Sequence, residues 1–109
     1  MRLAHHTIGG ASIVAVVGEL DRATAGKLAR ALDSAATNRD GRVIVDLTDA
    51  SFIDSTGIRA LIDGSDVACR FAVVVPPRTH LHRSLVACGA HHVFPLVETR
   101  GAGVASVLA

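Results

Sequence analysis

Arg42-Val43-Ile44-Val45-Asp46-Leu47-Thr48-Asp49-Ala50-Ser51-Phe52-Ile53-Asp54-Ser55-Thr56-Gly57-Ile58-Arg59-Ala60-Leu61 is the stretch on which the fold turns. Val43 to Leu47 is β-branched and apolar without alternation, the character of a central strand buried on both faces. After a loop from Thr48 to Asp54, a helix begins near Ser55 or Thr56 and runs through Leu61 and Ile62. There Asp63-Gly64-Ser65-Asp66 weakens it and keeps it short. The junction sets two hydroxyl side chains, Ser55 and Thr56, at the mouth of a helix, facing solvent and the unpaired N–H groups of the first turn. A phosphate added there meets the positive end of the helix dipole without disturbing the core, so the junction suits a charge switch better than a catalytic nucleophile. Gly57 relieves crowding on the same turn.

Working outward, the same exchange of apolar runs for helical patterns recurs along the chain, each time marked by a turn residue, which is the signature of a sheet covered by helices. Leu3 to Ile8 and Ile13 to Val17 flank Gly9-Gly10-Ala11-Ser12 and should pair antiparallel. Asp21 can cap a helix running to about Thr37, with Leu28, Leu32 and Ala35 on one face and Asn38-Arg39-Asp40-Gly41 closing it. Phe71 to Val75 is the next strand, ended by Pro76-Pro77. Thr79 then caps a helix whose Leu81, Leu85 and Val86 face inward until Gly89 stops it. Val93 to Val97 contains Pro95 and therefore belongs at a sheet edge or at its own end. Glu98 or Thr99 starts a terminal helix through Val104, Val107 and Leu108. The pattern is α/β, with no internal repeats and no linker.

The 109 residues, half hydrophobic and 19% charged, fit one compact domain. A formal charge of +1, no Trp or Tyr and three Phe supply neither a basic stripe nor stacking platforms, which argues against nucleic acid as a partner. No apolar run approaches the roughly 20 residues of a membrane span, and Met1-Arg2-Leu3-Ala4-His5-His6 lacks the core of a signal peptide. A cytosolic protein without direct membrane insertion is expected. Cys69 and Cys88 do not make a disulfide framework; in a reducing compartment they read as small buried hydrophobes, with a redox pair as the alternative.

Each candidate site residue also has a plain structural role. Ser and Thr at a helix start are ordinary N-caps, Asp21 is one as well, and Arg59 is a solvated surface charge. The histidines fall as His5-His6, His80-x-His82 and His91-His92. Neighbours on a strand point to opposite faces, and His80 and His82 lie about 200° apart on a helix, so neither pair forms a ready chelate and no metal is called for. Ile53-Asp54-Ser55-Thr56-Gly57 lacks the glycine two residues before the serine of a nucleophile elbow, and no phosphate-cradling Gly-rich loop appears. The chain reads as a non-enzyme without a cofactor.

The order strand, strand, helix, strand, helix, strand, helix, strand, helix, with Gly18-Glu19-Leu20-Asp21 before the first helix and Asp54-Ser55-Thr56-Gly57 before the second, resembles the STAS family. That family comprises the anti-sigma factor antagonists and their relatives, and the match spans nearly the whole chain. The resemblance implies a STAS-like fold: a mixed central sheet of about five strands, the first pair antiparallel, flanked by about four helices, in one domain over residues 1–109. It implies that Ser55, with Thr56 as runner-up, is the phosphoacceptor of a partner anti-sigma factor that is a serine kinase of histidine-kinase-like ATPase fold. A phosphatase would later clear the phosphoserine. Asp21 and Asp54 match acidic positions close to that serine, and Ser55, Thr56, Ile58 and Arg59 fall on the expected partner surface. Arg59 stands where the family has a small residue, usually Gly, so a long cation enters that surface. The second helix reads about a turn shorter than in the family. The expected function is that of an antagonist which binds its anti-sigma factor when unphosphorylated and frees a sigma factor. The alternative is an accessory subunit of a membrane transporter or a multi-STAS assembly without a kinase switch.

Overall fold

The computed structural model of the protein describes residues 1–38 and 40–109; Arg39, in the stretch expected to close the first helix, lies outside them. In chain order the elements are β1 (Arg2–Ile8), β2 (Ala11–Leu20), α1 (Ala25–Thr37), β3 (Arg42–Asp46), β4 (Ala50–Ile53), α2 (Ser55–Val67), β5 (Arg70–Val74), α3 (His80–Ala87), β6 (Leu96–Val97) and α4 (Arg100–Leu108). A short 3-10 turn, Ala90–His92, separates α3 from β6.

β1 and β2 form the expected antiparallel hairpin, with Ile8 opposite Ala11. Gly9 and Gly10 supply the positive φ angles, 58° and 88°, that a two-residue primed turn requires. The remaining pairings are parallel, and the main sheet runs β1-β2-β3-β5-β6. Both faces are covered. Val14, Val16, Val43, Val45 and Val73 pack under α1, α2 and α3 with Leu28, Leu32, Leu61, Leu81 and Leu85. Ile13, Ile44, Ala72 and Val74 pack on the opposite side with Val107 of α4. Burial from two sides is why these strands read as unbroken apolar runs.

Several expectations change. The predicted loop Thr48 to Asp54 contains β4, which pairs parallel with the far end of β2, Glu19 beside Phe52 and Leu20 beside Ile53. It is only four residues long, and Ser51 and Phe52 stay exposed, so no alternating or buried run marks it as a strand. It exists because β2 outruns β3: the β2–β3 pairing ends at Ala15 and Asp46, and an irregularity at Gly18, φ 100°, carries β2 onward to a new neighbour.

The second helix is not short: α2 continues unbroken through Asp63-Gly64-Ser65-Asp66 to Val67. Gly64 faces α1, where a Cβ would stand 2.5 Å from Leu32 Cδ1, so the glycine that weakens the helix locally lets two helices close on each other. Val86 is exposed, because the short α3 buries only Leu81 and Leu85. Cys69 and Cys88 are exposed free thiols and not core residues, since both fall beyond the ends of elements, Cys69 before β5 and Cys88 after α3. Of Val93 to Val97 only Leu96 and Val97 pair, at the β5 edge, in keeping with Pro95. Among the described residues no helix is long and apolar enough to cross a membrane.

Candidate functional site

The site lies where the parallel strands end and α1 and α2 begin. Leu20 and Ile53 are register partners, and the Asp54 N–H donates to the Leu20 carbonyl at 3.2 Å, so the segments that follow, Asp21 to Thr24 and Asp54 to Gly57, leave the sheet side by side. Gly57 makes that closeness possible. A Cβ on it would meet the Leu20 carbonyl oxygen at 2.7 Å, Leu20 Cγ at 2.8 Å and Ile53 Cγ1 at 3.0 Å. Its role is therefore to seat the first turn of α2 on the ends of β2 and β4, beyond easing crowding within the helix.

The N-cap of α2 is Asp54, whose Oδ1 accepts from the Gly57 N–H at 3.0 Å. Ser55 is the first residue inside the helix, exposed, and its hydroxyl takes no part in the cap. Thr56 is half-buried, Gly57 buried, Ile58 half-buried against the main core and Arg59 exposed. Arg59 Nε–H donates to Asp63 Oδ1 at 3.2 Å, one turn further along.

Asp21 does not cap the first helix. The residue before α1 is Thr24, and Asp21 Oδ1 accepts from the N–H groups of Ala23 (3.0 Å) and Thr24 (3.2 Å), closing a turn ahead of the helix. The Thr24 hydroxyl accepts from the Asp21 N–H at 2.9 Å and donates to the Glu19 carbonyl at 2.9 Å. Thr79 and Thr99 cap α3 and α4 by accepting from His82 N–H and Ala102 N–H.

Two neighbours of the site were not legible beforehand. Phe52 on β4 is an exposed aromatic two residues before the Asp54 cap. Asp46, at the end of β3, is buried and ion-paired at 2.6 Å with Arg100 at the start of α4. Burial pushes its carboxyl pKa up, but hydrogen bonds from the Thr48 hydroxyl, Arg100 and the Thr48 N–H outweigh that and hold it below the usual carboxylate value. The signal for Asp46 was only a charged residue closing an apolar strand; for Phe52 there was none.

The histidines do not converge. His80 and His82 sit on the first turn of α3, His80 with Nε2 3.1 Å from the Ser51 carbonyl, whereas His91 and His92 follow the far end of that helix, rings 3.9 Å apart. Among the described residues no three His, Cys, Asp or Glu side chains are grouped to hold a metal ion.

A mixed sheet with an antiparallel first pair, four helices and a glycine-seated helix entrance after the fourth strand define a small α/β module. The chain matches the family model described as STAS domain over residues 2–103 and belongs to that family. Its structure is similar to that of an anti-sigma factor antagonist from Mycobacterium paratuberculosis, at 26% identity and TM-score 0.86, covering 99% of this chain and 94% of that one. It is also similar to the anti-sigma factor antagonist SpoIIAA of Bacillus. Against the unphosphorylated form the TM-score is 0.72 at 15% identity, covering 99% of each chain; against the phosphorylated form it is 0.64 at 12%, covering 93% and 96%. A murine anion transporter, Slc26a9, contains the same fold: TM-score 0.72 and 16% identity, over 94% of this chain but 18% of the transporter. No curated protein sequence matches the chain.

Proposed function

We propose that this chain is an anti-sigma factor antagonist, a binding module switched by phosphorylation of Ser55. The observation that carries the reading is the exposed Ser55 hydroxyl, left out of a cap that Asp54 already makes. Unphosphorylated, the surface formed by Ser55, Thr56, Ile58 and Arg59 binds an anti-sigma factor and so frees a sigma factor. The same partner, a serine kinase of histidine-kinase-like ATPase fold, transfers the γ-phosphoryl group of ATP: the Ser55 Oγ–H bond is replaced by Oγ–P, ADP leaves and the proton passes to solvent. A phosphatase restores the hydroxyl by hydrolysis to inorganic phosphate. Thr56 is the second acceptor, less open than Ser55. The module itself is no catalyst, and its work is done in the cytoplasm.

Phosphate adds about −1.5 to −2 charges at pH 7. On an exposed residue beside a helix N-terminus that charge leaves the fold intact, whereas buried unpaired against a partner it costs about 2–5 kcal/mol, roughly 30-fold to several-thousand-fold in affinity. Co-purification from the native cells identifies the partner, and a titration then compares wild type, Ser55→Ala and Ser55→Asp. The expected result is a small kinase-fold partner, tight binding by wild type and Ser55→Ala, and weak binding by Ser55→Asp. Recovery with a permease component, or equal affinities for all three, overturns the reading.

A further inference from the structure

We propose that Arg59 is an exchangeable clasp, paired with Asp63 while Ser55 is free and drawn back over the first turn of α2 when Ser55 carries phosphate. The inference rests on the phosphorylation of Ser55 argued above and specifies what that event does to the surface around it.

Arg59 is the sole Lys or Arg in α2 and stands four residues after Ser55, the spacing at which two side chains on a helix are neighbours, with Cβ atoms about 5–6 Å apart. It is committed lightly. Its contact with Asp63 uses one nitrogen at 3.2 Å, between side chains 76% and 60% exposed, and an exposed pair of that kind holds its members weakly. Charge order favours the exchange: an anion N-terminal to a cation at this spacing is the better arrangement, and phosphoserine 55 with Arg59 has it, whereas Arg59 with Asp63 has the reverse. Phosphate also offers more charge and three acceptor oxygens, matching the guanidinium fork better than a singly contacted carboxylate.

Other charges surround the turn. Asp54 caps it, exposed Glu19 lies on the neighbouring β2, Asp21 and exposed Arg22 follow the end of that strand, and the packed helix α1 carries exposed Lys27 and Arg30, the latter lying along its own helix near Gly26. β4 carries no charge, and Arg70 of β5 stands at the opposite end of the sheet. Arg59 alone among these cations shares the helix face of Ser55. Phosphorylation therefore moves a cation as well as adding an anion. The guanidinium that lies one turn away in the free form closes over Ser55 in the modified form, so the partner meets an altered first turn.

The test installs phosphoserine at position 55 during synthesis of the full chain, so that no kinase is needed, and titrates it by phosphorus NMR while following the Arg Nε–H resonances. The second phosphate pKa, ordinarily about 6, should be about 0.2 to 0.4 lower in the phosphorylated wild type than in phosphorylated Arg59→Ala. Asp63→Asn should lower it further, and high salt should shrink the difference. The Arg59 Nε–H resonance should move on phosphorylation. Equal phosphate pKa values with and without Arg59, or a lowering abolished by Arg22→Ala, Lys27→Ala or Arg30→Ala and kept in Arg59→Ala, overturns the clasp. Because the phosphate is placed chemically, loss of the clasp leaves the partner titration of Ser55→Asp standing, and failure of that titration leaves the clasp standing.

Discussion

The entrances of α1 and α2 leave the sheet side by side, and each presents a β-hydroxyl in its first residues, yet the two groups are in opposite situations. At α1 the Thr24 hydroxyl is tied into the turn, accepting from Asp21 and donating to Glu19. At α2 the Asp54 carboxylate has taken the capping bond, and Ser55 one residue later is exposed with its hydroxyl outside the cap. Thr79 and Thr99 are engaged in a different way, their hydroxyls accepting from first-turn N–H groups as caps of α3 and α4. The lesson is that a hydroxyl at a helix start is structural when it is the cap or is tied into the turn ahead of the helix, and available for chemistry when another residue caps in its place. A shift of one position along the chain separates the two.

This contrast can be broken most severely at the glycine that holds the α2 entrance in position. Gly57→Ala forces a methyl group against the Leu20 carbonyl and should cost about 1–3 kcal/mol, read as a lower urea midpoint. Next come the caps themselves. Asp54→Ala, Thr79→Ala and Thr99→Ala should each lose about 1 kcal/mol, with Asp54→Ala measured in the unphosphorylated chain. Ser55→Ala marks the other pole, with stability changed by no more than about 0.5 kcal/mol. A Ser55→Ala loss as large as that of Asp54→Ala would erase the distinction between the two entrances.

The α4 entrance adds a pH-dependent arm. Asp46, paired with Arg100, titrates lower in the folded chain than in the unfolded one, so the stability it contributes is present above the ordinary carboxylate pKa near 4 and is lost as pH falls through its lower folded value. Thermal melts of wild type and Asp46→Asn should differ most near neutral pH and converge in acid. No such convergence is expected for wild type and Ser55→Ala, which should track each other throughout.

Where local sequence and tertiary contact agreed, the elements were legible: the Gly9-Gly10 hairpin, the β-branched β3, the Thr79 cap and the Gly89 stop all depend on backbone preferences within a few residues. Where they disagreed, contact prevailed. Gly64 reads as a break, but packing on Leu32 makes the helix run through it. Thr48 to Asp54 reads as a loop, but the unpaired end of β2 recruits β4 from it. Cys69 and Cys88 read as core because their side chains are apolar, yet position beyond element ends exposes them. In the candidate site, Ser55 and Gly57 were legible from the strand-to-helix pattern and Asp54 from the family resemblance, while the division of labour among them was not.

By itself the chain of residues determined the sequence of strands and helices apart from β4, the covered sheet and the address of the hydroxyl pair, because those follow from hydrophobic periodicity and turn chemistry. Only the folded arrangement decided which oxygen is engaged and which is free, how closely α2 sits on Leu20 and Leu32, and that Asp46 reaches Arg100 across the chain. Those depend on distances between residues far apart in sequence, and no local pattern encodes them.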